Sequence, residues 1–352
     1  MTVRILRGDC RDVLPTLEPG SVNCCVTSPP YFGLRSYLPA DHPDKCREIG
    51  CETTPDEYVA ALVSVFREVR RVLRDDGVLW INVGDSYAAS GMGGNPTESQ
   101  HRKQATNVGS LIKGRAAPAG LKPKDLIGIP WMLAFALRAD GWWLRGDHVW
   151  GKPNGMPEST RDRPSRSHEY VFLLTKSQNY WFDQEAVRTA PKATTITQLA
   201  KPYLGQSTKD HVANGVQDAS DLKRRIVEKM RASNKQRGHS RRHDGFNDRW
   251  DAMSKEGQQM EGGNLRSIWW VSPAQYREGH FAVMPDMVAE ICILSGCPIG
   301  GTVLDPFSGA GTTAVVADRL VRNAIGIDLN SDFTDMSQRR LATDAGMFAD
   351  IK

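Results

Sequence analysis

The sequence of 352 residues has no apolar run long enough to cross a bilayer, and its first residues lack the apolar segment of a signal peptide. Its seven cysteines are an odd number, which suits a reducing compartment better than a disulfide framework. We therefore expect a cytoplasmic protein with no membrane contact. His42, Cys46 and Cys51 lie close in sequence, but no second Cys/His pair is in register with them, so we predict no metal site.

A strong overall charge is also lacking, since the formal net charge is +4. Residues 188–266 nevertheless contain 16 Lys and Arg against 9 Asp and Glu, a local +7 that leaves the remainder at −3. Helix and strand signals are weak here, so we predict a basic insertion at residues 188–263 that faces a polyanionic substrate. Residues 88–124, also basic and rich in glycine, predict a long mobile loop that could clamp nucleic acid.

What the sequence does contain is an alternation of buried strands and helices. A capping box at residues 54–57 starts a helix, Asp75-Asp76-Gly77 is expected to stop it, and residues 78–83 form the next strand. This βαβ unit predicts a parallel sheet. The alternating patterns at residues 142–150 and 168–175 predict an antiparallel hairpin at its edge. The fold class is α/β, doubly wound and mostly parallel.

A motif with unusual chemistry follows the apolar run at residues 22–26, namely Ser28-Pro29-Pro30-Tyr31. Neither proline carries an N–H, so the Ser28 hydroxyl and the Pro29 carbonyl offer acceptors without a competing donor between them. Such a wall suits a ligand that presents an NH2 group, and the Tyr31 ring could stack on a planar group. An ordinary strand-ending turn explains the prolines equally well.

A second motif lies near the end of the sequence. A short apolar strand ends at Asp305, the following turn contains Gly309 and Gly311, and the next strand ends at Asp328, 23 positions after Asp305. Doubly wound folds hold nucleosides with such a turn, and the acid accepts hydrogen bonds from the ribose hydroxyls. Because Thr312 replaces a third glycine and the turn has no lysine, the pattern favours a nucleoside cofactor without phosphates.

With these motifs in this order, the chain resembles the S-adenosylmethionine-dependent DNA amino-methyltransferases, and specifically their circularly permuted beta group with a Rossmann-like sheet. The resemblance implies that S-adenosyl-L-methionine is the cofactor and that Asp9, by itself only a candidate helix cap, lies near its adenine. It implies two sets of site residues: for catalysis Ser28, Pro29, Pro30 and Tyr31; and for the cofactor Asp9, Phe281, Asp305, Phe307, Gly309, Gly311, Thr312 and Asp328. The residues predicted to contact DNA are Lys152, Asn154, Arg163, Arg166, Lys223, Arg224, Arg225, Arg241 and Arg242.

The resemblance also implies the reaction. The target base is flipped out of double-stranded DNA, and its amine is methylated directly. No proline is followed by cysteine, so the nucleophile of cytosine C5 enzymes is absent. A serine at position 28 favours cytosine N4, whereas aspartate or asparagine is usual for adenine N6. Three alternatives stay open: an adenine N6 enzyme, a DNA-binding protein that has lost catalysis, and an enzyme acting on RNA.

The expected organisation is a catalytic half at residues 1–187, a target-recognition region at 188–263 and a cofactor-binding half at 264–352. The resemblance places the protein in the cytoplasm of a prokaryote or phage-infected cell, at the nucleoid. It leaves open whether the chain forms a homodimer and whether a cognate restriction endonuclease accompanies it.

Overall fold

The computed structural model describes residues 1–39, 41–89, 117–118, 120–155, 158, 160–189, 263–274, 283–345 and 350–351. The chain divides into two units, Met1–Val187 with Arg266–Lys352, and Arg188–Leu265. Most of the basic loop predicted at residues 88–124 lies outside the described residues, as does most of the second unit. The mobility of that loop and the target-recognition role of the second unit therefore stay predictions.

Nine strands form one sheet in the described part of the chain. They are β1 (Thr2–Arg7), β2 (Val22–Thr27), β3 (Leu73–Val83), β4 (Trp143–Gly151), β5 (His168–Thr175), β6 (Ile268–Trp270), β7 (Thr302–Asp305), β8 (Asn323–Asp328) and β9 (Asp350–Ile351). Their order across the sheet is β6-β4-β5-β3-β2-β7-β8-β1-β9. Every pairing from β3 to β9 is parallel, which confirms the mostly parallel sheet.

The antiparallel hairpin is confirmed, but its position at the edge is wrong. Strand β5 pairs antiparallel with both β3 and β4, and β4 is covered in turn by a parallel pairing with β6. The three residues of β6 are too few for an alternating pattern to be visible in the sequence. This strand also lies more than 100 positions from β4 along the chain, so local signals could not reveal the pairing.

Helices cover both faces of the sheet. Those described are α1 (Cys10–Val13), α2 (Pro55–Val72), α3 (Ile129–Ala139), α4 (Asp286–Gly296), α5 (Thr312–Arg319) and α6 (Ser331–Ala345). Cys25, Leu79 and Ile81 lie in one buried cluster with α2 and α3. Their strand neighbours alternate to the other face, where Cys24 and Trp80 contact the end of α4. The doubly wound arrangement is therefore observed directly.

Helix α2 shows where local signals succeed and where they fail. The predicted capping box is present, with Thr54 accepting the Glu57 N–H at 3.2 Å while the Glu57 carboxylate accepts the Thr54 N–H at 3.0 Å. The predicted stop at Asp75-Asp76-Gly77 is wrong, because α2 ends at Val72 and these residues lie within β3. A register shift in the β2–β3 pairing accommodates them.

None of the described helices is long and apolar enough to cross a membrane.

Candidate active site

The two sequence motifs leave the sheet side by side. Strands β2 and β7 are parallel neighbours, with Cys24 opposite Val303 and Cys25 opposite Leu304. Because the carboxyl ends of parallel strands lie at the same edge, the Ser28-Pro29-Pro30-Tyr31 turn and the turn after Asp305 begin together. The structure therefore places the two motifs next to each other.

The Asp305 carboxylate joins these two turns. One oxygen accepts the Thr27 hydroxyl at 2.6 Å and the Phe307 N–H at 3.1 Å, and the other accepts the Thr313 hydroxyl at 2.7 Å. Burial raises the pKa of Asp305 to about 6, although these hydrogen bonds oppose the shift. Asp305 is not among the residues that line the pocket described next, so its observed contacts are with the protein, as support for both turns.

A pocket opens where the turns meet, and about 930 Å³ of space, part of it open to solvent, lies between its walls. Residues from both ends of the chain line it: Asp9, Cys10, Ser28, Pro29, Pro30, Tyr31, Leu34, Arg35, Tyr37, Leu38, Arg47, Glu48, Ile49, Pro306, Phe307, Gly309, Asp328, Leu329, Asn330 and Phe333. The pocket therefore brings together all four predicted catalytic residues and Asp9, Phe307, Gly309 and Asp328 of the predicted cofactor set.

The acid at the end of β8 is held by backbone donors. Its two oxygens accept the Gly309 N–H and the Asn330 N–H, both at 2.8 Å. The pKa of Asp328 is raised to about 6, mainly by burial and to a smaller extent by the nearby charge of Asp305. The hydrogen bonds from the two N–H groups oppose this rise. Each carboxylate oxygen retains a second lone pair, so Asp328 can still accept hydrogen bonds from ligand hydroxyls.

Gly311 and Thr312 do not line the pocket. Gly311 has φ +75°, and a Cβ there would overlap the Ser337 side chain on α6. The Thr312 hydroxyl accepts a hydrogen bond from the Arg340 guanidinium at 2.7 Å. Both residues pack the start of α5 against α6 and thus shape the turn from behind, so a direct cofactor contact by either stays a prediction.

Asp9 has two roles in the structure. Its side chain caps α1 by accepting the Arg11 N–H at 2.8 Å, as the sequence allowed, and it also lines the pocket. Arg11 and Arg47 both pair with its carboxylate. Burial alone would raise the pKa of Asp9, but the hydrogen bonds and charges of the two arginines lower it below the ordinary value. Asp9 is therefore an ionised wall residue.

The wall opposite the glycine turn is not predicted from the sequence. It comes from the loop after Tyr31, to which no sequence motif assigns a role. The buried Glu48 carboxylate gathers this loop by accepting the N–H groups of Tyr37 and Leu38 and pairing with Lys45 at 2.6 Å. Asn330 then binds the Tyr37 carbonyl at 3.0 Å. Such a loop has no periodicity, so only its folded contacts identify it as a pocket wall.

A side-chain network supports the predicted catalytic turn. The Ser28 hydroxyl lies 3.3 Å from the Asn82 amide oxygen, and the Tyr31 hydroxyl donates to Glu169 at 2.5 Å. Asn82 also donates to Glu169, at 3.1 Å, and Lys152 pairs with the other oxygen of that carboxylate. Sequence reasoning missed Asn82 and Glu169. A lone amide inside the apolar strand β3 and an acid at the start of the buried strand β5 were the available signals.

Tyr31 is tightly held at both ends of its side chain. Burial and the Glu169 charge raise the pKa of its phenol well above the ordinary value, so Tyr31 stays a protonated donor. A Cβ at Gly84 would overlap the Tyr31 ring, so the ring packs directly on the Gly84 backbone. The hydroxyl of Tyr58 donates to the Pro30 carbonyl at 2.7 Å. The predicted catalytic turn is thus fixed by its neighbours on β3, β5 and α2.

The predicted DNA-binding residues near the site already have protein partners. Lys152 pairs with Glu169, and Arg163 pairs with Glu158 at 2.6 Å while stacking over Tyr87. The other two are Arg166, which lies 3.6 Å from the Asp85 carboxylate, and Asn154, which is exposed and 3.4 Å from the Ser272 hydroxyl. Phe281, Lys223, Arg224, Arg225, Arg241 and Arg242 lie outside the described residues.

A doubly wound sheet with a pocket at the carboxyl ends of its central strands is the arrangement in which α/β folds bind nucleosides. The DNA methylase family of N6 and N4 amino-methyltransferases matches residues 22–339. The chain is 38% identical to the type II methyltransferase M.SmaI of Serratia marcescens over 96% of this chain and 90% of that one. It is 37% identical to M.Cfr9I of Citrobacter freundii over 96% and 87%.

Two solved structures share the fold. A candidate DNA modification methylase of Thermus thermophilus, complexed with S-adenosyl-L-methionine, matches with a TM-score of 0.54 at 19% identity, over 100% of this chain and 98% of that one. The PvuII DNA methyltransferase, described as cytosine-N4-specific, matches at 0.51 and 16% identity over 97% and 86%. The chain belongs to the DNA methylase family. It is an S-adenosylmethionine-dependent DNA amino-methyltransferase.

Proposed function

We propose that this enzyme methylates the exocyclic N4 amine of cytosine in double-stranded DNA. The observation that carries the proposal is the hydroxyl of Ser28 on the pocket wall, beside the Pro29 carbonyl. In the resembling enzymes serine at this position favours cytosine, and aspartate or asparagine favours adenine. The PvuII enzyme is described as cytosine-N4-specific, but at 16% identity its likeness supports the fold alone.

The proposed chemistry needs no covalent intermediate. The lone pair of an aromatic NH2 group is delocalised into its ring, so the amine is a weak nucleophile. Acceptors placed on its two hydrogens favour the localised form that attacks. Ser28 and the Pro29 carbonyl are the proposed pair, and Tyr31 is the proposed stacking surface for the flipped base.

The described pocket fits S-adenosylmethionine. The Asp328 carboxylate, which accepts a hydrogen bond from the Gly309 N–H, is an acid of the kind that binds ribose hydroxyls in doubly wound folds. Phe307, Tyr37 and Phe333 supply flat apolar walls of the kind that suits an adenine ring. When bound, this cofactor supplies an electrophilic methyl group. We assign its binding to these residues together with Asp9.

We propose that the basic unit at residues 188–263 binds the DNA and contains the target-recognition residues; its excess of positive charge supports contacts with the phosphate backbone. Lys223, Arg224, Arg225, Arg241 and Arg242 are the proposed contacts of this unit, and Asn154 is a proposed contact outside it. The relatives M.SmaI and M.Cfr9I carry type II names. By analogy, we propose that a restriction endonuclease with the same target accompanies this protein.

The identity of the methylated base is tested by analysing the nucleosides of the methylated DNA. Unmodified duplex DNA of mixed sequence is methylated by the purified protein with S-adenosylmethionine, and the DNA is digested to nucleosides for mass spectrometry. We expect N4-methylcytosine. N6-methyladenine as the sole product would overturn the cytosine assignment, and a preference for RNA in competition with duplex DNA would overturn the DNA substrate.

Two matched substitutions test the site. Ser28→Ala is expected to lower kcat by about 100-fold, because an acceptor that acts in the transition state is lost. Ser64→Ala removes a hydroxyl on the exposed side of α2, where it bonds only the Ala61 carbonyl, and should leave kcat unchanged. Equal activity of Ser28→Ala and the wild type would show that the pocket has been misassigned.

A further inference from the structure

We propose that Glu169 is a positioning residue of the catalytic pocket. With Lys152 behind it, Glu169 orients the Asn82 amide and the Tyr31 hydroxyl, so that Ser28 presents only acceptor lone pairs to the target amine. The inference rests on the proposed role of Ser28 as an acceptor. It assigns to Lys152 a function inside the network, in place of the DNA contact predicted from the sequence.

The orientation of the Asn82 amide follows from its neighbours. Its nitrogen lies 3.1 Å from the Glu169 carboxylate and 3.2 Å from the Tyr170 carbonyl, and both of these groups only accept hydrogen bonds. The amide oxygen must therefore face Ser28, 3.3 Å away. An amide oxygen cannot donate, so the hydroxyl hydrogen of Ser28 points into this network, where the Asn82 oxygen and the Tyr31 oxygen are its acceptors. The remaining lone pairs of the serine oxygen are then available to a ligand.

The same carboxylate oxygen fixes Tyr31. A phenol has one hydrogen, and the 2.5 Å contact shows that it is donated to Glu169. The Tyr31 oxygen also lies 3.4 Å from the Asn82 amide oxygen, a contact in which neither atom has a hydrogen left to donate. A single acid thus sets both the acceptor and the proposed stacking ring of the pocket.

Lys152 completes the arrangement on the other side of the carboxylate. Its ammonium pairs with the second oxygen of Glu169 and lies 4.5 Å from the centre of the Trp150 ring. The side chains of Lys152 and Glu169 are only 22% and 14% exposed, so the pair is largely shielded from water. Lys152 binds one carboxylate oxygen of Glu169, and the other oxygen accepts the hydrogen bonds of Tyr31 and Asn82. Each oxygen of the carboxylate therefore has its own partners.

The test changes the acid Glu169 to its amide, and the geometry of the network predicts which second substitution restores activity. In Glu169→Gln, Lys152 can only donate, so it captures the single amide oxygen and turns the NH2 group towards Tyr31 and Asn82. Asn82 must then rotate, and Ser28 loses its fixed orientation. We expect kcat to fall by about 100-fold, because small displacements of a catalytic group have such effects, with less than about a twofold change in cofactor affinity.

The double variant Lys152→Met with Glu169→Gln removes the competitor for that oxygen. The glutamine oxygen can then face Tyr31 and Asn82, so we expect at least about a tenfold recovery of kcat over Glu169→Gln alone, measured at saturating DNA. A merely structural ion pair would give no such recovery. Wild-type kcat in Glu169→Gln, or a double variant no more active than the single one, would overturn the proposal.

Controls separate this inference from the proposed function. Asp76→Asn is the matched acid-to-amide change, because Asp76 lies on the same strand as Asn82 but at its far end, half-exposed and paired with Arg74. The kcat of this variant should equal that of the wild type. An inactive Ser28→Ala with a fully active Glu169→Gln would overturn only the positioning role. A fully active Ser28→Ala would overturn both assignments. The thermal unfolding midpoint of each variant excludes loss of fold as the cause.

Discussion

The proposed cofactor side of the pocket, around Asp328, and its proposed catalytic side, around Ser28, are held by different kinds of contact. On the cofactor side, Asp328 accepts N–H groups from Gly309 and Asn330, which lie 19 and 2 positions away in the chain. On the catalytic side, Ser28 depends on the Asn82 side chain 54 positions away, and Tyr31 depends on Glu169 at 138 positions. The cofactor side therefore depends on backbone hydrogen bonds between residues close in sequence, and the catalytic side depends on side-chain hydrogen bonds between residues distant in sequence.

This difference predicts different sensitivity to substitution. Backbone donors persist when neighbouring side chains change, provided that the turn keeps its shape. A side-chain network is disrupted when one member changes, because each donor in it already bonds a particular acceptor and the remaining groups lose their partners. On the catalytic side, substitutions at residues that do not contact a ligand should therefore lower activity. On the cofactor side, affinity should fall mainly when a substitution changes the shape of the turn.

The largest effect is expected at Asp305, where the two sides meet. Asp305→Ala leaves the hydroxyls of Thr27 and Thr313 and the Phe307 N–H without their acceptor, all in buried surroundings. We expect the free energy of unfolding to fall by about 3 kcal/mol in urea titrations at pH 7, together with loss of cofactor binding. Asp305→Asn keeps one acceptor oxygen and should lose less than half as much. Equal stability of the alanine variant and the wild type would show that the two turns are independent.

The next effect should be confined to the catalytic side. Gly84→Ala places a Cβ where the Tyr31 ring packs, so the ring must move and its bond to Glu169 must weaken. We expect kcat to fall by about tenfold or more with the cofactor dissociation constant unchanged, measured by methyl transfer and by calorimetry. Gly155→Ala is the matched control, because a Cβ there meets only ordinary contacts at 3.8 Å. A loss of cofactor affinity equal to the loss of kcat would contradict the separation of the two sides.

The smallest effect is a pH dependence on the cofactor side. The pKa of Asp328 is raised to about 6, so its two oxygens accept hydrogen bonds above pH 6 and one becomes protonated below it. We expect the cofactor to bind about tenfold more weakly at pH 5 than at pH 7, since one pH unit below the pKa leaves about a tenth of the acid ionised. Calorimetric titrations at several pH values measure this change.

The same pKa has the opposite consequence for stability. The folded protein holds this proton more tightly than the unfolded chain, whose ordinary aspartate pKa is 3.8, so the Asp328 contribution to stability rises as the pH falls from about 6 to 4. Asp328→Asn should remove the pH step in cofactor affinity. A step that persists in this variant would belong to another group, such as Asp305, whose pKa is also about 6.

Much of the fold could be predicted because its signals are local. The capping box of α2, the hairpin strands β4 and β5, and the strands before both turns each show a short-range pattern. The register shift within β3 and the short strand β6 could not be predicted, because each depends on pairing with residues distant in sequence. Arg163 and Arg166 show the same limit, since the sequence displayed their charge but not the acids that pair with it.

The amino-acid sequence by itself determined the class of the protein, because the acceptor tetrapeptide, the glycine turn and the acid at Asp328 are each carried by a few consecutive residues. Tertiary structure alone decided how the acceptor is oriented and which residues enclose the pocket. Asn82, Glu169 and Lys152 come from three different strands or their ends, and their hydrogen bonds exist only when the sheet is assembled. The direction of a hydroxyl depends on its nearest neighbour in space, and no local pattern records that neighbour.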